Sequence, residues 1–231
     1  MELLDLIFPK RCASCKAFGS YLCPDCFAKL SFTANDVCLV CNRLTIDSLT
    51  HPGCRTRYSI DGAFASLVYT GVMKRLVYAF KYKPYLTDLR EALTDLFYEG
   101  LIQKERFHSL LDANPMLIPI PLHASKLRSR GYNQAEVLSI GLNKKFGIPT
   151  RNLLQRTKDT PSQFKLSRVD RISNVKGAFF LTEDTQREIA KKTIFLVDDV
   201  LTSGATLAEA ARALKRGGAE AVYGLALAHG K

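Results

Sequence analysis

The sequence predicts an α/β protein in which a mostly parallel sheet carries helices on its faces and a small cysteine-rich module precedes the sheet. Two observations lead to this prediction. All seven cysteines lie before residue 55, whereas the chain from residue 59 onwards alternates segments with the apolar spacing of strands and of helices. Strands and helices in this alternation form parallel sheets with flanking helices. We therefore predict a module over 1–58 and an α/β domain over 59–231.

The composition is that of a globular protein with excess positive charge. Of 231 residues, 47% are hydrophobic and 24% are charged, and the 33 Lys and Arg against 22 Asp and Glu give a net charge of +11. This charge favours phosphorylated small molecules, nucleic acid or an anionic membrane surface as partners. No apolar run reaches the roughly 20 residues of a membrane span, and the acidic start MELLDLIFPKRC is unlike a signal peptide. We expect a cytoplasmic protein, with the inner face of the membrane as a second location that its charge favours.

The cysteines have the spacing of metal ligands. Three C-x-x-C pairs occur in one short region, and each pair can grip a zinc ion from a tight turn. Disulfides are the alternative, but a reducing cytoplasm disfavours them. The first four cysteines make one complete tetrahedral set: Cys12, Cys15, Cys23 and Cys26.

A second ligand set is less regular. It has three cysteines, Cys38, Cys41 and Cys54, while Arg57 occupies the position of a fourth C-x-x-C cysteine. His51 lies three residues before Cys54, and imidazole is the usual substitute for a thiolate at zinc. We predict a Cys3His site, against the alternative that His51 is an ordinary surface residue. Because the region has few large apolar residues, structural Zn²⁺ at one or two sites would supply stability that a small core cannot.

The α/β domain contains periodic segments in alternating order. Its strands are short apolar runs, and its helices have apolar residues three and four positions apart. Prolines after one strand and a glycine after one helix mark the ends of these elements. The predicted elements are strands at 62–71, 116–122, 174–182, 192–200 and 221–229, and helices at 85–102, 133–147 and 206–216.

One strand ends in two adjacent carboxylates and a loop suited to an anion. Asp198 and Asp199 follow an apolar run and precede small and hydroxyl residues. Ligands bind at the carboxyl ends of parallel strands, and the N–H groups at a helix start attract phosphate. The loop is neither a Walker loop nor G-x-G-x-x-G, so no nucleoside triphosphate or dinucleotide is implied. The predicted phosphate contacts are Thr202, Ser203, Gly204, Ala205 and Thr206.

The two carboxylates require a ligand with hydroxyls beside its phosphate. A ribose 5-phosphate is such a ligand, because each carboxylate can accept hydrogen bonds from the vicinal diol. Asp198 and Asp199 can also orient the waters of a Mg²⁺ that accompanies a pyrophosphate. The alternative is a solvated acidic pair followed by an ordinary Ser and Thr helix cap.

Several segments resemble known families. FLVDDVLTSGAT, at 195–206, closely resembles the phosphoribosyl pyrophosphate (PRPP) binding motif of type I phosphoribosyltransferases. PIPLHASKLRSRGYNQA at 119–135, TPSQFKLSRVDRISNVKGAF at 160–179 and the cysteine region resemble the ComF family of competence proteins and its amino-terminal zinc ribbons. Together these segments cover nearly the full chain, with Arg57 as a departure where an intact double ribbon has its last cysteine. The resemblance implies a type I phosphoribosyltransferase-like fold in which the acidic pair contacts the ribose hydroxyls and the following loop holds the 5-phosphate.

Basic segments accompany the predicted site. Lys126, Arg128 and Arg130 follow a predicted strand end, where cations can clamp a departing pyrophosphate, although a solvated basic turn is an alternative. The Lys- and Arg-rich segment 156–176 is predicted as a mobile lid over the site, a nucleic-acid contact surface, or both. The alternative is a flexible loop without a binding role. FKYKPY, at 80–85, mixes aromatic rings with lysines. These residues could stack on single-stranded DNA and neutralise it, or they could form a helix end where the lysine side chains shield the core.

Two functional hypotheses follow. The first is a phosphoribosyltransferase that uses PRPP and Mg²⁺, with Asp198 and Asp199 as the catalytic pair that holds the diol while a nitrogen nucleophile attacks carbon 1. The sequence shows no recognisable pocket for the acceptor. The second is a non-catalytic PRPP sensor or single-stranded DNA-binding protein. The resemblance to the ComF family implies DNA uptake or handling in natural competence, with single-stranded DNA and a competence helicase or membrane channel as candidate partners.

Overall fold

A computed structural model describes residues 9–32, 36–82, 87–159, 168–182 and 185–230. Two predicted features lie partly outside these ranges. Lys83 and Tyr85 of the segment 80–85 are outside them, and so is much of the predicted lid at 156–176.

The centre of the molecule is a four-stranded parallel sheet. Its strands are β3 (Gly62–Val68), β4 (Met116–Pro119), β7 (Thr193–Leu201) and β8 (Ala221–His229). They lie side by side in the order β3-β8-β7-β4, and each pairs in parallel with its neighbours. The predicted parallel sheet is confirmed, and the carboxyl ends of all four strands meet at one edge, where such sheets bind ligands.

Helices cover both faces of this sheet, as predicted. The predicted helix at 85–102 is described over Thr87–Ile102, since residues 85 and 86 lie outside the described ranges, and the one at 133–147 ends at Phe146 with Gly147 in the left-handed conformation as its cap. The helices of this part of the chain are α2 (Gly71–Tyr82), α3 (Thr87–Ile102), α4 (Glu105–Leu111), α5 (Ala124–Arg130), α6 (Gln134–Phe146), α7 (Arg168–Val175), α8 (Thr185–Ile189) and α9 (Ala205–Arg216).

Two elements differ from the prediction. The strand predicted at 174–182 is short: β6 (Phe179–Leu181) pairs antiparallel with β5 (Leu154–Arg156) in a separate two-stranded sheet. The segment that carries Lys126, Arg128 and Arg130 is helix α5 and not a loop, because His123 caps its start and Gly131 ends it in the left-handed conformation.

Alternating residues of β7 face two apolar clusters. Phe195 and Val197 pack with α2, α3 and α4, whereas Ile194 and Leu196 pack with α9. The first cluster contains several aromatic rings, including that of Phe195, whose centroid lies 5.3 Å from the Phe107 ring. Within the described residues, no helix combines the length and apolar character needed to cross a membrane.

The cysteine-rich module lies against the outer edge of the sheet. It contains α1 (Pro24–Phe27), the short antiparallel strands β1 (Asp36–Val37) and β2 (Leu44–Thr45), and a 3₁₀ turn. Antiparallel bridges join the module to edge strand β3, and the amide of Ala63 donates to the carbonyl of Ser48 at 2.8 Å. The module therefore satisfies backbone groups that an edge strand would otherwise expose. The predicted boundary at residue 58 stays a prediction.

Candidate functional site

A pocket lies where β7 leads into α9. β7 ends at Leu201, three residues follow, and α9 begins at Ala205. Gly204 is the N-cap of this helix and has a φ of 72°, which a residue with a Cβ adopts only at a cost. The pocket is partly open to solvent. Its walls comprise Asp198 and residues 200–207, including all five predicted phosphate contacts.

The first turn of α9 favours an anion. Its leading N–H groups have no carbonyl of an earlier turn to pair with, and the aligned peptide dipoles of this twelve-residue helix add positive potential at that end. The turn contains no acidic residue. The Ser203 hydroxyl accepts a hydrogen bond from the Ala205 amide at 3.4 Å, so it lies beside the same N–H groups. Together they can surround a phosphate group.

The two adjacent carboxylates have different surroundings. Asp198 lines the pocket, and one of its oxygens accepts a hydrogen bond from the Asp199 amide at 2.8 Å. Asp199 is buried and forms an ion pair with Lys81 of α2, with 2.9 Å between Oδ1 and Nζ. The pair predicted to act together therefore has one member at the loop between β7 and α9 and one held by a lysine.

Lys81 is a site residue that the sequence did not single out for this role. Burial favours the neutral amine, but the neighbouring Asp199 carboxylate outweighs that effect and raises the pKa of Lys81 above its ordinary value. Lys81 therefore stays charged and offsets one of the two negative charges. Lys81 lies within the segment 80–85, which mixes aromatic rings with lysines.

Asp198 resists ionisation. Burial is the main cause, the Asp199 charge adds to it, and Lys81 and Arg156 work against it, so that the pKa of Asp198 is raised to about 7. Near neutral pH this carboxyl group is therefore divided between its neutral and charged forms.

A cluster of cations adjoins the acidic pair. Lys126 and Arg130 are four residues apart on α5 and hence on one face of it, whereas Arg128 points away and is exposed. Burial and the charge of Arg156 lower the pKa of Lys126, the Asp159 carboxylate opposes them, and Arg130 contributes in the lowering direction. Mutual repulsion of this kind is relieved when an anion binds among the cations. Arg156 thus joins the site from β5, while Arg128 lies outside the cluster.

The rings near α2 are arranged differently from the prediction. Phe80 is buried in the core and cannot stack on a ligand. Tyr78 and Tyr82 are both exposed, with ring centroids 4.8 Å apart. The guanidinium of Arg130 lies 5.4 Å from the Tyr82 ring centroid. An exposed aromatic pair therefore adjoins the cation cluster.

The first cysteine set has the geometry of a tetrahedral metal site. The sulfur atoms of Cys12, Cys15, Cys23 and Cys26 all lie within 4.8 Å of one another. The amide of Lys16 donates to the carbonyl of Cys12 at 2.9 Å, in a tight turn that brings the first pair together. Four thiolates at this separation suit Zn²⁺, which binds sulfur at about 2.3 Å.

The second set brings His51 together with three cysteines. The ligand atoms of Cys38, Cys41, His51 and Cys54 lie within 4.8 Å of one another. Nδ1 of His51 is 3.2 Å from the sulfur of Cys41. Nε2 is 2.9 Å from the Leu44 carbonyl, which can only accept a hydrogen bond, so Nε2 carries the proton and Nδ1 is available to a metal.

The thiols of the second set differ in acidity. The backbone of Arg43 is the main influence on Cys41; burial opposes it, His51 adds to it, and the pKa falls to about 6. Burial, with Cys41 and Cys38, raises the pKa of Cys54 to about 11. Thiols this close together cannot all ionise unless a cation lies among them, and Zn²⁺ would supply that positive charge. The residues therefore fit a Cys3His zinc site, while Arg57 is exposed beside the Tyr58 ring.

Comparison with known proteins agrees with this architecture. Residues 3–55 match the Double zinc ribbon domain, and residues 128–231 match the Phosphoribosyl transferase domain. The chain is therefore a phosphoribosyltransferase-fold protein with an amino-terminal double zinc ribbon, and its cysteine clusters support structural zinc.

Full-length relatives define the family. Competence protein F of Haemophilus influenzae is 30% identical over 230 residues, which cover 91% of this chain and 99% of that protein. DNA utilization protein YhgH of Escherichia coli is 28% identical over 87% of this chain and 93% of its own length. Competence protein ComFC of Bacillus subtilis is 29% identical over 84% of this chain and 77% of its own. The chain belongs to the ComF family.

Metal content tests the second ligand set. We expect two zinc ions per wild-type chain and one per chain in His51→Ala, because three thiolates without the imidazole leave the site one ligand short. Zinc assay of purified protein measures this. His108→Ala, which removes an exposed helical histidine, should keep both ions. One ion in the wild type would contradict the Cys3His site.

The raised pKa of Asp198 predicts a stability effect. The folded-state pKa of about 7 exceeds the ordinary pKa of 3.8. Ionisation of this carboxyl group therefore lowers the stability of the ligand-free fold as the pH rises between these two values. We expect Asp198→Asn to raise the free energy of unfolding at pH 8 by roughly 1–4 kcal/mol. Urea unfolding should show a gain that grows from pH 4 to pH 7. Asp112→Asn at an exposed position should show no such growth, and a gain independent of pH would contradict the assignment.

Proposed function

We propose that the chain binds PRPP with Mg²⁺ in the pocket between β7 and α9, and that it is a phosphoribosyltransferase with an unidentified acceptor that serves DNA uptake or handling in natural competence. One observation carries the proposal: a carboxylate, a helix start free of acidic residues and a cluster of cations converge on one edge of a parallel sheet. This combination matches a ligand with a phosphate at one end, a diol between, and a pyrophosphate at the other end.

The 5-phosphate is assigned to the loop at the start of α9. Its oxygens accept hydrogen bonds from the amides of the first turn and from the hydroxyls of Thr202, Ser203 and Thr206. These residues line the pocket. Gly204 lets the backbone come close to the phosphate oxygens.

The ribose diol is assigned to the acidic pair. Asp198 faces the pocket and can accept hydrogen bonds from the diol in its ionised form. The Lys81 ion pair holds Asp199 and reduces the repulsion that two carboxylates would exert on a phosphorylated ligand. Lys81 is therefore part of the proposed site, although it need not touch the ligand.

The pyrophosphate is assigned to the cation cluster. Lys126, Arg130 and Arg156 lie near one another, and their charges would stabilise the negative charge that develops as pyrophosphate leaves. Asp198 offers its carboxylate to the waters of the accompanying Mg²⁺, which would further neutralise the leaving group.

The transfer itself requires no covalent enzyme intermediate. The bond from carbon 1 to pyrophosphate would break with both electrons leaving on the pyrophosphate oxygen, while the lone pair of an acceptor nitrogen forms the new bond and that nitrogen releases its proton to solvent. The acidic pair keeps the ribose in place while positive charge develops on the ring. The names of the relatives, two competence proteins and a DNA utilization protein, support the link to DNA.

Single-stranded DNA binding is a second candidate function. Tyr78 and Tyr82 present two exposed rings, and Arg130 lies over the second of them. Exposed aromatic rings stack on unpaired bases, and neighbouring cations contact the phosphates of the DNA backbone. The net charge of +11 favours the same partner.

PRPP binding is tested by calorimetric titration of Mg-PRPP. We expect binding by the wild type and a loss of affinity of about 100-fold or more in Asp198→Ala/Asp199→Ala, because charge-assisted hydrogen bonds to the diol are removed. Asp112→Asn, a carboxylate removed elsewhere, should bind like the wild type. A folded, zinc-loaded wild type that does not bind would overturn the proposal.

DNA binding is tested by fluorescence anisotropy with a labelled oligothymidine. We expect Tyr78→Ala/Tyr82→Ala to bind at least about 10-fold more weakly, since each stacked base contributes roughly 1–3 kcal/mol. Phe18→Ala removes an exposed ring that lies beside Arg11 in the zinc module and serves as the matched control. Equal affinities for the double variant and the wild type would exclude the tyrosine pair as the binding surface.

A further inference from the structure

The turn at residues 38–43, which we call the second zinc knuckle, contacts the loop at residues 202–206, which we call the phosphate loop. Leu39 stands between the ligands Cys38 and Cys41, and its side chain is only 6% exposed. It packs directly against Gly204: a Cβ placed on this glycine would lie 2.9 Å from Cδ2 of Leu39. A residue of the cysteine-rich module therefore closes off the space next to the N-cap of α9.

The knuckle determines where Leu39 lies. The amide of Asn42 donates to the carbonyl of Cys38 at 2.7 Å, and the amide of Cys38 donates to the carbonyl of Arg43 at 2.9 Å. This turn has Leu39 near its tip and Cys38 and Cys41 as its two sulfur ligands. A metal ion held by both sulfurs would keep the turn closed and Leu39 in position.

The contact is part of a continuous apolar cluster. Leu39 belongs to the same buried group as Ile60, Leu201 and Leu207. Leu201 ends β7 and Leu207 lies in the first turn of α9, so they flank the loop on both sides along the chain. The loop backbone is thus held by β7 before it, by α9 after it, and by Leu39 from the module.

Gly204 is the position in the loop where such support matters. The backbone of Gly204 has a φ of 72°, which is one of several values that a glycine can adopt. Because glycine has no Cβ, its own side chain does not restrict the backbone at this position. Binding of a phosphate requires the amides of the first turn to point into the pocket together. Leu39 restricts Gly204 from the module side and so favours the conformation that presents these amides.

We propose that Leu39 is a positioning residue for the phosphate loop, and that metal binding at Cys38, Cys41, His51 and Cys54 thereby raises the affinity of the pocket for a ribose 5-phosphate group. The inference rests on the proposed function, since it concerns how the same loop holds its ligand. Leu39 acts through Gly204 and does not need to touch the ligand.

The size of the effect follows from the population of the competent loop. When only a fraction of molecules has the binding conformation, the apparent dissociation constant rises by the inverse of that fraction. If loss of the Leu39 contact leaves the loop competent in about a tenth of the molecules, affinity for PRPP falls about 10-fold.

The test compares Mg-PRPP and ribose 5-phosphate binding in wild type, Leu39→Ala, Leu39→Val and Val40→Ala. Val40 is the neighbouring knuckle residue, and its side chain is 44% exposed. Titrations are run well below the melting temperature of every variant, with zinc content measured on the same samples. We expect about a 10-fold loss for both ligands in Leu39→Ala, a smaller loss in Leu39→Val, wild-type affinity in Val40→Ala, and two zinc ions per chain in each.

Metal removal at the second site provides an independent arm. His51→Ala should lose one zinc ion and weaken both ligands as Leu39→Ala does, because the knuckle that carries Leu39 is no longer closed. If Leu39→Ala does not fold, Leu39→Val decides the result. A wild type that binds neither ligand would overturn the proposed function itself. If the wild type binds both ligands and the Leu39 variants bind them with wild-type affinity, the positioning role alone would be overturned. The same holds if Val40→Ala binds as weakly as Leu39→Ala.

Discussion

Negative charge at the end of β7 is the constraint on which the site depends. The pocket that we propose to bind a phosphorylated ligand contains a carboxylate, Asp198, and has a second one, Asp199, as its next residue. Two ionised acids would repel the ligand and each other, and burial increases that cost. The structure limits it in two ways: Lys81 neutralises Asp199 through an ion pair, and Asp198 has its pKa raised to about 7. This charge balance leaves one carboxyl group available to the diol that we propose as its ligand and reduces repulsion toward the proposed phosphate.

The parallel sheet assembles these charges from segments far apart in the chain. β3 leads into α2, which carries Lys81; β4 leads into α5, which carries Lys126 and Arg130; and β7 carries the two acids. Since the strands run in parallel, their carboxyl ends lie at one edge, and residues that follow different strands meet there. Arg156 reaches the same region from the small antiparallel sheet. The charges come from four different elements, so correct packing of the whole domain is a condition for the charge balance.

The sequence could predict the parts of the site that are local. The acidic pair and the loop at 202–206 are contiguous, as are the C-x-x-C turns, and short-range geometry decides their structure. Lys81, Arg156 and Leu39 act through partners more than 40 residues away in the chain, and one sequence contains no signal for such contacts. Local rules also failed at 174–182, where an apolar run suggested a strand of the main sheet but tertiary packing placed β6 in a separate two-stranded sheet with β5.

The zinc module is better understood as a part of the site than as an appendage to it. Its two short strands and few large buried side chains give it little core of its own, so metal must supply much of its stability. The apolar side chains that it does bury, Leu39 among them, pack against the sheet domain and belong to that domain's clusters. Its backbone also pairs with the exposed edge of β3. Module and domain therefore stabilise each other, and the effect of metal content that we propose on the loop before α9 would pass through ordinary packing contacts and needs no separate signalling element.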